Sequence, residues 1–175
     1  MLMYIGIALV VLFALGTIVI ATRPDSFRIS RSMTISAAPN VPFAFVNDFH
    51  KWTEWSPFEK LDPNLQRTYS GSPDGVGASY AWAGNSKAGH GNMKIIESVP
   101  SSRVALDLNF EKPFKATNLT EFTFTPSGNG VTVEWAMSGE STTMGKVMGL
   151  FMNMEDYLGK AFTEGLTNLK RVSEA

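Results

Sequence analysis

The chain has 175 residues, 44% of them hydrophobic and 18% charged, which suffices for one domain with a proper core and is too short for two comfortable ones. A formal net charge of -1 provides no basic field for holding a polyanion, so nucleic acid is not expected as a partner. The absence of cysteine excludes disulfides, thiolate catalysis and cysteine-held zinc or iron.

The first 22 residues, MLMYIGIALVVLFALGTIVIAT, carry no charged side chain. As a helix rising about 1.5 Å per residue they match the roughly 30 Å hydrocarbon core of a bilayer, and they read as a transmembrane anchor. A cleavable signal peptide wants a basic start, a shorter apolar run and a small-residue cleavage site, and VIATRP is a poor match to the last. Residues 23–26 read as a linker in which Pro24 stops the helix. Arg23, Arg28 and Arg31 follow against Asp25 alone. By the positive-inside rule this predicts a single-pass membrane protein whose folded part, residues 27–175, faces the cytoplasm.

The pattern then changes period. FRISRSMTI alternates, with Phe27, Ile29, Met33 and Ile35 on one side of a strand and Arg31 sharing that apolar phase. Pro39 opens a short helix rich in Val41, Phe43, Phe45, Val46 and Phe49. The run DFHKWTEWSPFEK follows and holds two of the four tryptophans. Asp48 is expected to accept backbone hydrogen bonds near a helix end. Strands are predicted over residues 66–70, 77–83, 89–99, 103–111, 115–125 and 130–138, separated by turn sequences such as GSPDGVG, AGNSKAG and PSGNG. Short connections imply antiparallel pairing. Val104, Leu106, Leu108 and Phe110 share one phase, as do Phe122 with Phe124 and Val131, Val133, Trp135 with Met137, so one face of the sheet is buried.

What covers that face is a long helix predicted over residues 144–172, whose Val147, Met148, Phe151, Leu158, Phe162, Leu166 and Leu169 recur at helical spacing. Met137, Met144, Met148, Met152 and Met154 gather where the last strand meets this helix; they fill a core or line a surface that accommodates varied ligands. Arg31 and Glu155 interrupt the apolar pattern, and each either reaches solvent or anchors a polar ligand group. Of the two histidines, His50 reads as surface and His90, in AGHGN, borders a turn or a cavity mouth. Neither shows a metal-ligand spacing, and no phosphate loop, dinucleotide fingerprint or nucleophile elbow appears, so no catalytic residue, metal or cofactor is assigned.

The order of elements, together with DFHKWTEWSP, YSGSPDGVG and the ending LGKAFTEGLTNLK, resembles the START-like helix-grip superfamily, also called SRPBCC, and within it the bacterial polyketide cyclase/dehydrase and lipid transport proteins. The resemblance implies an α+β helix-grip fold, a curved antiparallel sheet wrapped around the C-terminal helix, with an apolar cavity between them. It also implies that Trp55 and Pro57 close one end of the barrel. The candidate lining of that cavity is Arg31, Tyr80, Trp82, His90, Phe110, Phe122, Trp135, Met137, Met148, Phe151, Met152 and Glu155. The expected function is a membrane-anchored binder or carrier of a hydrophobic small molecule or lipid. The alternatives are a cyclase- or dehydratase-like enzyme using the same cavity, and a protein-interaction module like the co-chaperone relatives.

Overall fold

The computed structural model describes residues 4, 6, 14, 16, 17, 21–141, 143–148 and 153–175. Among them run β1 (Ser26–Ile35), α1 (Asn40–Val46), α2 (Trp52–Trp55), β2 (Gln66–Gly71), β3 (Ala78–Ala83), β4 (His90–Val99), β5 (Arg103–Lys112), β6 (Ala116–Ser127), β7 (Gly130–Glu140), α3 (Thr143–Met148) and α4 (Met154–Ser173). Single 3-10 turns at Phe49–Lys51 and Pro57–Lys60 flank α2. The strands form one sheet in the order β1-β7-β6-β5-β4-β3-β2, antiparallel at every pair. Successive short connections pair β2 through β7 in sequence. β1, separated from β2 by the helical connector, takes the open edge of β7. Two register shifts in β4, at His90/Gly91 and Ile95/Glu97, are the bulges that bend such a sheet.

Inward phases of the strands supply the core. Ile29, Ile35, Val104, Leu106, Phe122, Phe124, Val131, Val133 and Trp135 are all buried, as are Phe162, Leu166 and Leu169 of α4. The connector adds an aromatic plug: Trp52 and Trp55 have ring centroids 5.0 Å apart, and Trp55 meets Trp135 edge-on at 5.5 Å. Both indoles also hold the backbone, Trp52 Nε1 donating to the Val46 carbonyl at 2.9 Å and Trp55 Nε1 to that of Phe45 at 3.2 Å. The DFHKWTEWSP run thus ties the short helices to the end of α1, and its Trp52 and Ser56 also border the cavity beneath α4. Asp48 accepts from the His50 backbone N–H at 2.9 Å, the local role expected of it.

Two expectations are corrected. The helix predicted over residues 144–172 is not continuous: Asn153 has extended backbone angles, φ -76° and ψ 96°, and its side chain accepts from the Asp156 N–H, so α4 begins afresh at its own N-cap. Residues 149–152 lie outside the described residues. The transmembrane helix expected over residues 1–22 falls largely outside them too. Among the described residues no helix is long and apolar enough to cross a membrane. The 20-residue α4 carries Glu155, Asp156, Lys160, Glu164, Lys170 and Arg171, charges that hydrocarbon does not accommodate cheaply. The single-pass membrane localisation is corrected accordingly, and the cytoplasmic placement argued from it goes with it.

Candidate functional site

α4 packs chiefly along β1 and against α1 and α2. Tyr157, Leu158 and Phe162 of α4 face residues of β3 to β7 across a space that none of them fills. The space beneath is a cavity of about 210 Å³, walled by Tyr80 and Trp82 of β3, Met93 of β4, Leu108 and Phe110 of β5, Thr120 of β6, Trp135 and Met137 of β7, and Tyr157, Leu158 and Phe162 of α4. The connector completes it with Trp52, Ser56, Phe58, Glu59, Leu61 and Leu65, and the β3–β4 loop with Lys87 and Ala88. Tyr157, half exposed, and the exposed Lys87 stand at the mouth. An apolar cavity of about 150 Å³ holds benzene, so this one is sized for a slightly larger guest.

Gly91 is required by this geometry. A Cβ there would run into the Asn109 carbonyl of β5 and lie 2.5 Å from the Trp82 ring, so glycine serves both the strand pairing and the indole that walls the cavity. Trp82 is fixed at its other end by its Nε1, which donates to the Ala88 carbonyl at 3.0 Å.

The walls are apolar but the polar groups among them are organised. Glu59, buried, accepts from Arg67 Nε at 2.6 Å and from the Tyr80 hydroxyl at 2.7 Å. Arg67 also donates to the carbonyls of Glu59 and Leu65. Burial, then the hydrogen bond and charge of Glu59, push the Tyr80 phenol far above its ordinary range, so Tyr80 is a neutral donor. Its neighbour Tyr69, stacked on it at 5.2 Å, is raised mainly by burial. The hydrogen bond to Glu59 raises the Arg67 guanidinium further. Three more polar atoms, Ser56 Oγ, Thr120 Oγ1 and Trp135 Nε1, are buried with no hydrogen-bond partner among the described residues, and all three residues line the cavity. Two further atoms share that state elsewhere: Arg103 Nε, which lies 3.3 Å from Glu97, and Ser173 Oγ at the far end of α4. Among the described residues no cluster of three or more histidine or acidic side chains comes together as a metal site would.

Of the residues named from the sequence, the structure brings Tyr80, Trp82, Phe110, Trp135 and Met137 together on the cavity wall. Phe122 is fully buried in the plug, edge-on to Trp52 and Trp55. His90 is half-buried at the start of β4, opposite Ala83 and Lys112, and is not part of the wall. Arg31 lies in a separate shallow groove on α4, its guanidinium against Gly159 and one nitrogen donating to the Ser30 carbonyl at 2.7 Å. Glu155 is exposed in the first turn of α4. The side chain of Met148, and Phe151 and Met152 altogether, lie outside the described residues. Glu59, Ser56 and Thr120 were not singled out. Thr120 carried a signal, being a polar residue in the inward phase of Phe122 and Phe124. Glu59 carried none, because its partners lie eight and 21 positions away.

The fold recurs in solved structures at low identity. A protein from Thermobifida fusca superposes with a TM-score of 0.63 at 20% identity, covering 83% of this chain and 92% of its own. One from Chromobacterium violaceum gives 0.61 at 15%, covering 87% and 99%. The Aha1 dimer from Colwellia psychrerythraea gives 0.54 at 14%, covering 85% and 95%. At these identities the likeness is one of fold, an antiparallel sheet with a C-terminal helix consistent with the helix grip. No curated protein matches the sequence significantly. A family profile does match, across residues 26–174, and by it the chain belongs to the polyketide cyclase / dehydrase and lipid transport family.

Proposed function

We propose that this chain binds a compact hydrophobic molecule, about the size of two fused rings, in the cavity beneath α4. The observation that carries the proposal is an apolar cavity of about 210 Å³ whose lining includes the exposed Tyr157 and Lys87. Pockets for drug-sized ligands run from about 300 to 1,000 Å³. The guest is therefore smaller than those: a small ring system or the end of an acyl chain fits, whereas a whole diacyl lipid requires α4 to move.

A second reading is acid–base chemistry on the bound guest. It is favoured by one feature, the convergence of two titratable groups, Glu59 and Tyr80, on the cavity wall. Arg67 weighs against it, since a carboxylate paired with a guanidinium is a weak base.

The test uses naphthalene as probe, titrated into the full chain and into Leu108→Trp, which fills the cavity from β5. Saturable binding at one site in the wild type, lost in a variant whose melting temperature is unchanged or raised, supports the reading. Absence of binding to the folded wild type by naphthalene and by 1-tetralone, a two-ring guest that also carries a carbonyl, overturns it and leaves the sheet and helix as an interaction module.

A further inference from the structure

The chain has four tryptophans, and three of their indole N–H groups have backbone partners: Trp52 with Val46, Trp55 with Phe45 and Trp82 with Ala88. The fourth, Trp135 Nε1, has none among the described residues. Its ring is stacked on Phe162 at 4.3 Å with the planes 13° apart, which holds it in place. Its Cε3–Cζ3 edge faces Gly165 of α4, so the edge bearing Nε1 is turned away from the helix. Thr120 stands diagonally across the strand pair: Phe122 is opposite Trp135 and Thr120 opposite Met137, so all four share the inward face. The Thr120 and Ser56 hydroxyls are unpartnered in the same way.

Resting on the reading of this cavity as a guest site, we infer that it selects a neutral guest carrying a hydrogen-bond acceptor, a ketone or quinone carbonyl, received by Trp135 and Thr120. The chemistry of the donors makes the selection. An indole N–H only donates and a hydroxyl can donate, so together they are satisfied by an oxygen with two lone pairs and not by an amine or a hydrocarbon. A hydrocarbon guest leaves every one of these groups buried and unpaired, which is costly. An anionic oxygen is disfavoured in turn. Glu59 shares the wall, its charge is already matched by Arg67, and Lys87, the one cation among the lining residues, sits exposed at the rim. Neutral oxygen acceptors are what remain, and among them we take the carbonyl, a stronger and less hindered acceptor than an ether and one with no donor hydrogen of its own to satisfy.

The experiment compares 1-tetralone with tetralin, which differ by the carbonyl oxygen, on the full chain labelled with nitrogen-15. The Trp135 indole resonance is assigned by its loss in Trp135→Phe. On adding 1-tetralone it moves downfield, while those of Trp52, Trp55 and Trp82 stay near their free positions; tetralin produces no downfield shift. The dissociation constant of tetralin divided by that of 1-tetralone falls by about tenfold in Trp135→Phe and in Thr120→Val, the loss of one buried hydrogen bond. Thr120→Val nearly preserves shape and keeps the comparison decisive should the tryptophan variant fail to fold. If both probes bind and neither the ratio nor the Trp135 resonance responds, the carbonyl selection is wrong and the apolar guest site stands. If neither probe binds the folded wild type, both fall together.

Discussion

Two glycines on α4 allow one substitution to be tried with opposite expected outcomes. Replacing glycine by alanine inside a helix gains about 1 kcal/mol from backbone entropy alone. At Gly165 the new methyl would lie 2.6 Å from Trp135 Cζ3 and 3.0 Å from Pro57 Cδ. Neither neighbour can give way: Trp135 is clamped between Phe122 and Phe162, and Pro57 is a buried ring. Overpacking of this kind costs about 1 to 3 kcal/mol, so Gly165→Ala is expected to lose roughly 1 kcal/mol net. At Gly159 the methyl would overlap Arg31 Nη2 outright and lie 2.6 Å from its Cζ and 2.9 Å from its Nε, a tighter clash than that at Gly165 but one with the far end of a side chain. That guanidinium ends a flexible, half-buried side chain, and its bond to the Ser30 carbonyl is replaceable by water. The helix term wins there, and Gly159→Ala is expected to gain about 0.5 kcal/mol. Urea unfolding followed by tryptophan fluorescence resolves both: with a slope of about 1 to 3 kcal/mol per molar, the midpoint falls by about 0.5 M for Gly165→Ala and rises by a smaller amount for Gly159→Ala. A stabilised Gly165→Ala would refute the contention that α4 rests on a rigid Trp135, and a destabilised Gly159→Ala would refute the freedom assigned to the Arg31 side chain.

The buried carboxylate gives the next expectation. Arg67→Met leaves Glu59 paired only with Tyr80 and is expected to cost about 2 to 3 kcal/mol, whereas the Glu59→Gln/Arg67→Met double variant recovers at least half, because no bare charge remains; equal losses in thermal melts of the two would show that the pair is electrostatically idle. Alkaline pH gives the last. The folded protein holds the Tyr80 and Tyr69 phenols above the unfolded value near 10, so protonated tyrosine contributes stability that is fully present below about pH 10 and is lost as the pH rises beyond it. Unfolding midpoints measured from pH 8 to 11 should fall at the upper end, and less steeply in Tyr80→Phe; an unchanged slope in that variant contradicts the assignment to Tyr80.

Much of this architecture could be read from period and punctuation. Alternation of Val104, Leu106 and Leu108, and of Val131, Val133 and Trp135, placed the strands to within two residues of their observed ends, because a half-buried strand must repeat every second residue. The break at Asn153 escaped because the apolar spacing runs through it; what interrupts the helix is a side chain capping the next turn, a local competition that periodicity does not register. The apolar opening stretch read as a spanning helix on length and hydropathy, and no helix among the described residues meets both conditions.

The amino-acid order alone decided which faces of the strands and of α4 are apolar, and hence the sheet, its covering helix and the family, since these depend on spacings of two to four residues. It could not decide how far α4 stands off the sheet. That depends on Gly165 against Trp135 and Pro57, contacts between segments far apart in the chain. Tertiary packing alone paired Glu59 with Arg67 and Tyr80, left Trp135 Nε1 and the Thr120 hydroxyl unpaired, and kept a cavity open beside them. Whether a buried polar atom finds a partner is set by which distant residues arrive next to it, and that is a property of the assembled fold.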